Sequence, residues 1–126
     1  MTPFGARLRA LRAAEGMTLR ALAAQLEVSA ASLSALEHGQ RGAPSAGLVH
    51  QVCEAFGLIW DDAEALARLA RLSHPRVVVD TAGLTPEQTT LANRIAQDIR
   101  RLPPEAVAAL LGVLDSAVLQ PRSRRR

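Results

Sequence analysis

The segment TLRALAAQLEVSAASLSALEHG, residues 18–39, carries the signals of two short helices separated by a tight turn. Thr18 and Ser29 are favourable N-cap residues, because their hydroxyl oxygens can accept a hydrogen bond from a backbone N–H of the following turn. Gly39 can take the left-handed conformation that ends the second helix. The two predicted hydrophobic staples are Met17 with Leu22 and Val28 with Leu33. The segment therefore predicts a helix followed by a turn and a second helix.

The second of these helices is predicted to have one buried and one exposed side. Leu33 and Leu36 are spaced to face the core. Ser32, Ser34 and Ala35 cannot all face that core as well. The helix therefore presents small and polar side chains to solvent.

These residues resemble the phage repressor and Cro family of helix-turn-helix regulators, also called the xenobiotic-response-element type. The resemblance covers roughly residues 4–72, and its most specific parts are TLRALAAQLEVS, LSALEHG and AFGL. It also includes a first helix in FGARLRALRAAEG, the loop HGQRGAPS, a fourth helix in SAGLVHQVCEAFGL and a fifth in DDAEALARLARL. The resemblance implies an all-α fold with a five-helix lambda-repressor-like DNA-binding bundle, followed by a C-terminal two-helix segment.

Local signals predict the ends of the fourth and fifth helices. The fourth helix is predicted to start at Ser45 and to end at Gly57. Its predicted buried residues are Leu48, Val49, Val52 and Phe56. The fifth helix is predicted to start at Asp61, where Glu64 completes a capping-box pattern. Trp60 is expected to anchor the chain just before that helix.

The chain is predicted to have four parts. Residues 1–72 form the DNA-binding domain, and residues 73–84 form a linker or a short strand, because three consecutive valines favour extended structure. Residues 85–119 form a helical hairpin that begins with a Thr-Pro-Glu-Gln capping signal and turns at a Pro-Pro pair. Residues 120–126 form a disordered arginine-rich tail.

Two apolar stripes in the helical hairpin predict a dimerisation element. A hairpin of about 35 residues is too small to be stable alone, so it must pack on the N-terminal bundle or on another subunit. We expect dimerisation, and the alternative is that the hairpin completes the core of a monomer. The predicted dimerisation residues are Leu91, Ile95, Ile99, Val107, Leu110, Leu111 and Leu114.

The resemblance places the third helix in the DNA major groove, with its first turns against base edges. The implied contact residues are Ser29, Ala30, Ala31, Ser32 and Ser34. Ser29 serves either as a cap alone or also as a phosphate contact, and the two alanines either touch thymine methyl groups or only favour the helix. Arg20 on the second helix, and His38, Gln40 and Arg41 after the third, are expected near phosphates; the alternative is that they are solvated surface residues.

The same resemblance implies a structural ion pair between Arg12 and Glu37. Such a pair would fix the first helix against the third. The alternative is two exposed charges that contribute ~0–1 kcal/mol.

Composition restricts the remaining possibilities. The 126 residues are 48% apolar and carry a net charge of +3, with no run of 18 apolar residues and a single cysteine, Cys53. This pattern predicts a cytoplasmic protein without an internal disulfide. The tail RSRRR alone contributes four positive charges, whereas residues 1–44 carry five arginines and three glutamates, a net of +2. The tail either attracts DNA non-specifically or only favours solubility.

No catalytic or metal-binding motif is present in the sequence, so we expect no enzyme activity, no cofactor and no metal. His50 and His74 lack partners at metal-ligand spacing. The leading hypothesis is a dimeric repressor that binds double-stranded DNA at a two-fold symmetric operator. The alternative is an antitoxin or other interaction protein whose C-terminal helices bind a protein partner. Regulation by proteolysis, in the linker or between the last helices, and regulation by a small molecule stay open.

Overall fold

The computed structural model describes residues 1–40 and 42–118, and this part of the chain is all-helical. Its elements are α1 (Pro3–Ala14), α2 (Leu19–Leu26), α3 (Ala30–Glu37), α4 (Ala46–Phe56), α5 (Trp60–Arg71), α6 (Pro86–Asp98), a 3₁₀ turn (Ile99–Arg101) and α7 (Pro104–Val118). They divide into two units, Met1–Val78 with α1 to α5 and Val79–Arg126 with α6 and α7. The predicted all-α fold is confirmed. The predicted tail lies outside the described residues, and so does Arg41.

The hydroxyl caps predicted from the sequence are confirmed. The Oγ1 of Thr18 accepts from Ala21 N at 3.0 Å, and the Oγ of Ser29 accepts from Ser32 N at 3.0 Å. Ser45, predicted as the start of the fourth helix, is instead the N-cap residue of α4, and its side chain accepts from Leu48 N. Each hydroxyl satisfies one backbone N–H that has no partner within its own helix, so the starts of these helices follow from local chemistry.

The first unit contains the hydrophobic core, to which all five of its helices contribute. Its buried residues are Phe4, Leu8, Leu22, Ala23, Leu26, Leu33, Leu36, Val49, Val52, Cys53, Leu66 and Ala70. The predicted core positions Leu48 and Phe56 are only partly buried at its edge. The second helix of the helix–turn–helix is therefore fixed on one side by a continuous core.

The start of α5 differs from the prediction. Ile59 occupies the N-cap position without a side-chain hydrogen bond, so the capping box predicted for Asp61 and Glu64 is wrong. Trp60 has a φ of 51° and is 83% exposed, so the prediction that it anchors the chain is also wrong. A positive φ is uncommon for a residue with a bulky side chain.

The second unit has no buried residue in its described part, residues 79–118. α6 begins with the predicted capping box, in which Thr85 Oγ1 accepts from Gln88 N at 3.1 Å and Gln88 Oε1 accepts from Thr85 N at 2.9 Å. Ile95 and Leu102 are half-buried, whereas most other large apolar side chains of α6 and α7 are exposed. A helical hairpin of this size leaves its apolar stripes largely in water.

Between α5 and α6 the backbone forms neither helix nor strand within residues 73–85, with bends at residues 75–76 and a turn at residues 82–83. None of the helices in the described residues is long and apolar enough to span a membrane.

Candidate functional site

α2 and α3 are joined by a turn that the local backbone fixes. Glu27 takes the left-handed conformation with a φ of 61°. Val28 N then donates to Ala23 O at 3.0 Å, which closes the end of α2. Because Ser29 starts α3 immediately afterwards, the direction of α3 follows from this turn.

α3 has one fully buried side. Leu33, Leu36 and Glu37 are buried, and α3 packs against both α1 and α2. The predicted DNA-contact residues lie at the N-cap and on the less buried sides of α3. Ser29 and Ala31 are exposed, whereas Ala30, Ser32 and Ser34 are half-buried. The five residues therefore belong to one short helix and its cap, and Ala30 also packs partly against the core.

The end of α3 is also fixed. Gly39 has a φ of 79°, and its N–H donates to Leu36 O at 3.2 Å while Gln40 N donates to Ala35 O at 2.9 Å. This pair of bonds is the Schellman ending, which needs a left-handed residue and so favours glycine. The Nδ1 of His38 lies 2.9 Å from Ser34 O.

The charged and polar residues predicted near phosphates are on the surface of the bundle. Arg20 on α2 is exposed, and so are His38 and Gln40 after α3. Arg41 lies outside the described residues. Neither Arg20 nor His38 is in an ion pair within the described part of the chain, although His38 Nδ1 already contacts Ser34 O.

Arg12 and Glu37 lie together beneath this surface. Arg12 Nε donates to Glu37 Oε2 at 3.2 Å, and the two side chains are 13% and 2% exposed. A second guanidinium nitrogen donates to Glu37 Oε1 at 3.4 Å, and Arg12 Nη1 donates to Met17 O at 3.4 Å. Removing one partner from a buried pair of this kind leaves an uncompensated charge, which typically costs ~3–5 kcal/mol. The pair therefore links α1, the start of α2 and the end of α3.

Sequence reasoning missed three residues that hold α1 against its neighbouring helices. Arg9 places its Nε 3.9 Å from Glu37 Oε1. Gly5 lies where α1 crosses α3, because a Cβ there would meet backbone atoms of Glu37, including its Cα at 2.7 Å. Ser73 Oγ accepts from Phe4 N at 2.9 Å and donates to Leu69 O at 2.6 Å, which joins α1 to α5. Only Gly5 gave a local signal, as an isolated glycine within a helical pattern.

No group of three or more potential metal ligands is found in residues 1–40 and 42–118. Cys53 is buried in α4, and burial raises the pKa of its thiol. Desolvation disfavours the thiolate, so this thiol is a poor nucleophile at neutral pH.

Known proteins resemble the first unit of this chain. A family model described as a helix-turn-helix domain matches residues 3–67. The HTH-type transcriptional repressor RghR of Bacillus subtilis (strain 168) is 38% identical over 61 residues, which are 48% of this chain and 45% of RghR. RghRB of the same organism, an uncharacterized HTH-type transcriptional regulator, is 33% identical over 67 residues, which are 53% of this chain and 48% of RghRB.

The matched region spans about half the length of these curated relatives. No solved structure matches the chain.

Proposed function

We propose, since this chain belongs to the helix-turn-helix family of transcriptional regulators, that it is a repressor which binds a specific double-stranded DNA sequence. The observation that carries the proposal is the two-sided character of α3. Leu33, Leu36 and Glu37 hold one side of the helix in the bundle, and small side chains occupy the other. A rigid helix of this kind can enter a major groove without its side chains blocking the approach.

Contacts with the phosphate backbone of the DNA would position α3 on the duplex. Arg20 and Arg41 carry guanidinium groups that suit phosphate, while His38 and Gln40 are the nearby hydrogen-bonding side chains. Residues 1–44 carry a net charge of +2, whereas residues 45–72 carry two arginines and four acidic residues, a net of −2. The positive charge therefore belongs to the half of the bundle that contains α2 and α3, as binding to phosphate requires.

Base recognition would come from few and short side chains. Ser29, Ser32 and Ser34 have hydroxyls that can bond base edges, and Ala30 and Ala31 can contact thymine methyl groups. None of these side chains forms the bidentate contacts of arginine or asparagine. We therefore expect part of the sequence preference to come from the shape of the DNA.

We also propose that the repressor is a homodimer joined through α6 and α7. Leu91, Ile99, Leu111 and Leu114 are more than half exposed in the single chain, and a groove of about 530 Å³ lies among Leu91, Ile95, Leu102 and Leu110. A second copy would remove these surfaces from water. On a two-fold symmetric operator the two α3 helices of a dimer would contact half-sites about 34 Å apart, one turn of the duplex.

Selection of bound duplexes from a random library tests both proposals at once. A repressor of this kind enriches one sequence at moderate salt, and a homodimer gives that sequence two-fold symmetry. Enrichment of an asymmetric site would refute the symmetric dimer. Enrichment of no sequence by folded protein would refute specific DNA binding.

A substitution on α3 tests where the DNA lies. Ser34→Glu places a carboxylate on the proposed DNA-facing side, so it should weaken binding to the selected operator at least a hundredfold, measured by mobility shift. Ala65→Glu introduces the same charge at an exposed position of α5 and should leave affinity within about twofold. Circular dichroism checks that both variants stay helical. Equal affinities of the two variants would contradict the docking of α3.

A second candidate function is supported by the same exposed apolar stripes. In this alternative, α6 and α7 bind a different protein, as in an antitoxin, while the first unit binds DNA. Sedimentation of the pure protein distinguishes the two. A dimer supports the homodimeric repressor, and a monomer across the micromolar range supports a missing partner.

A further inference from the structure

The segment Arg-Val-Val-Val-Asp, residues 76–80, is solvent-exposed and belongs to no helix. Val77, Val78 and Val79 are 72%, 94% and 63% exposed, although β-branched residues of this kind are typical of strands in a sheet. Three consecutive exposed valines are unusual in a segment that serves only as a connection, since such segments are commonly polar.

The backbone of this segment also lacks partners. No hydrogen bond in the described part of the chain involves a main-chain N–H or C=O of Val77, Val78 or Val79. A stretch with free donors and acceptors can pair with another segment as a strand, which gains main-chain hydrogen bonds along the whole stretch.

The charges at the two ends of the segment indicate what that other strand is. Arg76 and Asp80 lie two residues before and two residues after Val78. Both are exposed, and no ion pair within residues 1–40 and 42–118 includes either of them. When two copies of the segment run antiparallel, the positive end of each therefore lies beside the negative end of the other.

We propose that residues 76–80 of two copies of this chain form an antiparallel β-ribbon with Val78 at the two-fold axis. In this register Arg76 lies opposite Asp80 of the second copy, and Asp80 lies opposite Arg76 of the second copy. Opposite charges at facing positions of an antiparallel pair stabilise it, whereas like charges destabilise it. Two copies related by two-fold symmetry form both ion pairs at once.

The alternation of side chains supports the same register. Val77 and Val79 project from one side of the ribbon, so the two copies bring four valines together there. Val78 projects from the other side, between the two ion pairs. A ribbon of two short strands is marginal in water by itself, so it adds to dimerisation through α6 and α7 and rests on the homodimer proposed above.

Cysteine cross-linking tests the register. In a Cys53→Ala background, Val78→Cys places two thiols opposite each other, with Cα atoms about 5 Å apart, within the range that a disulfide spans. Val77→Cys is the matched control, because its two Cα atoms would lie about 8 Å apart, beyond that range. Mild oxidation should cross-link the first variant at least tenfold faster. Equal rates, or no cross-link in either variant, would overturn the ribbon.

Charge reversal tests the ion pairs. Arg76→Asp leaves four carboxylates around the axis and should raise the dimer dissociation constant about tenfold, measured by sedimentation equilibrium. The double change Arg76→Asp with Asp80→Arg exchanges the charges and should restore most of the loss, even though Asp80 Oδ1 also accepts from Ala82 N at 2.9 Å. A dissociation constant unchanged by Arg76→Asp, or no recovery in the double variant, would overturn the proposal.

The proposal of the ribbon and the proposal of the repressor function can be refuted independently of each other. A protein that cross-links at position 78 but enriches no DNA sequence would refute the repressor alone. A protein that binds a symmetric operator as a dimer but cross-links equally at positions 77 and 78 would refute the ribbon alone.

Discussion

Ser73 and Glu37 are polar side chains buried in an otherwise apolar bundle, and each holds two helices together. Phe4 is the second residue of α1, so its N–H has no partner within that helix. Ser73 Oγ supplies that partner and donates its own proton to Leu69 O. Glu37 accepts a hydrogen bond from Arg12 and so joins the end of α3 to α1.

Replacing Ser73 with alanine should lower the free energy of unfolding by about 1–3 kcal/mol, because the buried Phe4 N–H loses its acceptor. Urea unfolding followed by circular dichroism measures this loss. Ser116→Ala, at an exposed position of α7, should change stability by less than about 0.5 kcal/mol. A Ser73→Ala protein as stable as the original would show that the Phe4 N–H finds water or another acceptor.

Some of these buried polar residues could be predicted from the sequence and others could not. Arg12 and Glu37 were named through a family resemblance, which carries information about residues distant along the chain. Ser73 lies 69 positions from Phe4, and no local pattern relates the two. Helix caps could be predicted because both the donor and the acceptor lie within four residues of each other.

At the scale of elements, the starts of the helices are set by N-cap side chains that accept hydrogen bonds from the first turn. Thr18, Ser29, Ser45 and Thr85 each cap the helix that begins after them. The exception is α5, where an aspartate and a glutamate matched a capping box that the structure does not contain. The preceding turn decides that start, because it places Ile59 at the N-cap and Trp60 in the left-handed region.

The crossing of α1 and α3 should not tolerate a methyl group at Gly5. Gly5→Ala is expected to destabilise the protein by at least about 1–3 kcal/mol, because its Cβ would overlap the Glu37 backbone and force the helices apart. Gly47→Ala in α4 is the control: its Cβ meets nothing closer than Ser45 Oγ at 4.0 Å. That change should stabilise the protein by about 0.5–1 kcal/mol. Thermal unfolding that ranked the two variants in the opposite order would contradict this account of the crossing.

The exposed stripes of the second unit should control self-association. Replacing Ile99 and Leu114 with aspartate puts four charges into the proposed dimer surface, so we expect monomers and weaker operator binding. Gln97→Asp with Ser116→Asp adds the same charges about half a helical turn away from those stripes and should keep the dimer. Sedimentation equilibrium measures both. A dimer that survives the first pair of changes would place the interface elsewhere.

At the scale of the whole molecule, the buried core belongs to one unit. All the buried apolar residues lie within Met1–Val78, and residues 79–118 contain none. The composition predicted enough apolar residues for a core, but it did not predict how those residues are distributed between the two units. The helices of the second unit also carry apolar stripes, and only the structure shows that these stripes are exposed in a single chain.

A fragment of residues 1–78 should therefore fold without the rest of the chain. We expect it to unfold cooperatively in urea, and to bind the operator at least tenfold more weakly than the full chain because it lacks the proposed α6–α7 interface. Calorimetric titration with operator DNA measures the second effect. An unfolded fragment would show that the second unit contributes to the stability of the first.

The exposed ring of Trp60 has a practical consequence for such measurements. Trp60 is the only tryptophan, and the chain has no tyrosine, so one solvated indole accounts for nearly all the near-ultraviolet emission of this protein. Its emission maximum should already be red-shifted in the native state and should change little on denaturation. The same indole should instead respond to a macromolecule that covers the turn between α4 and α5, which makes it an intrinsic probe of contact at that turn.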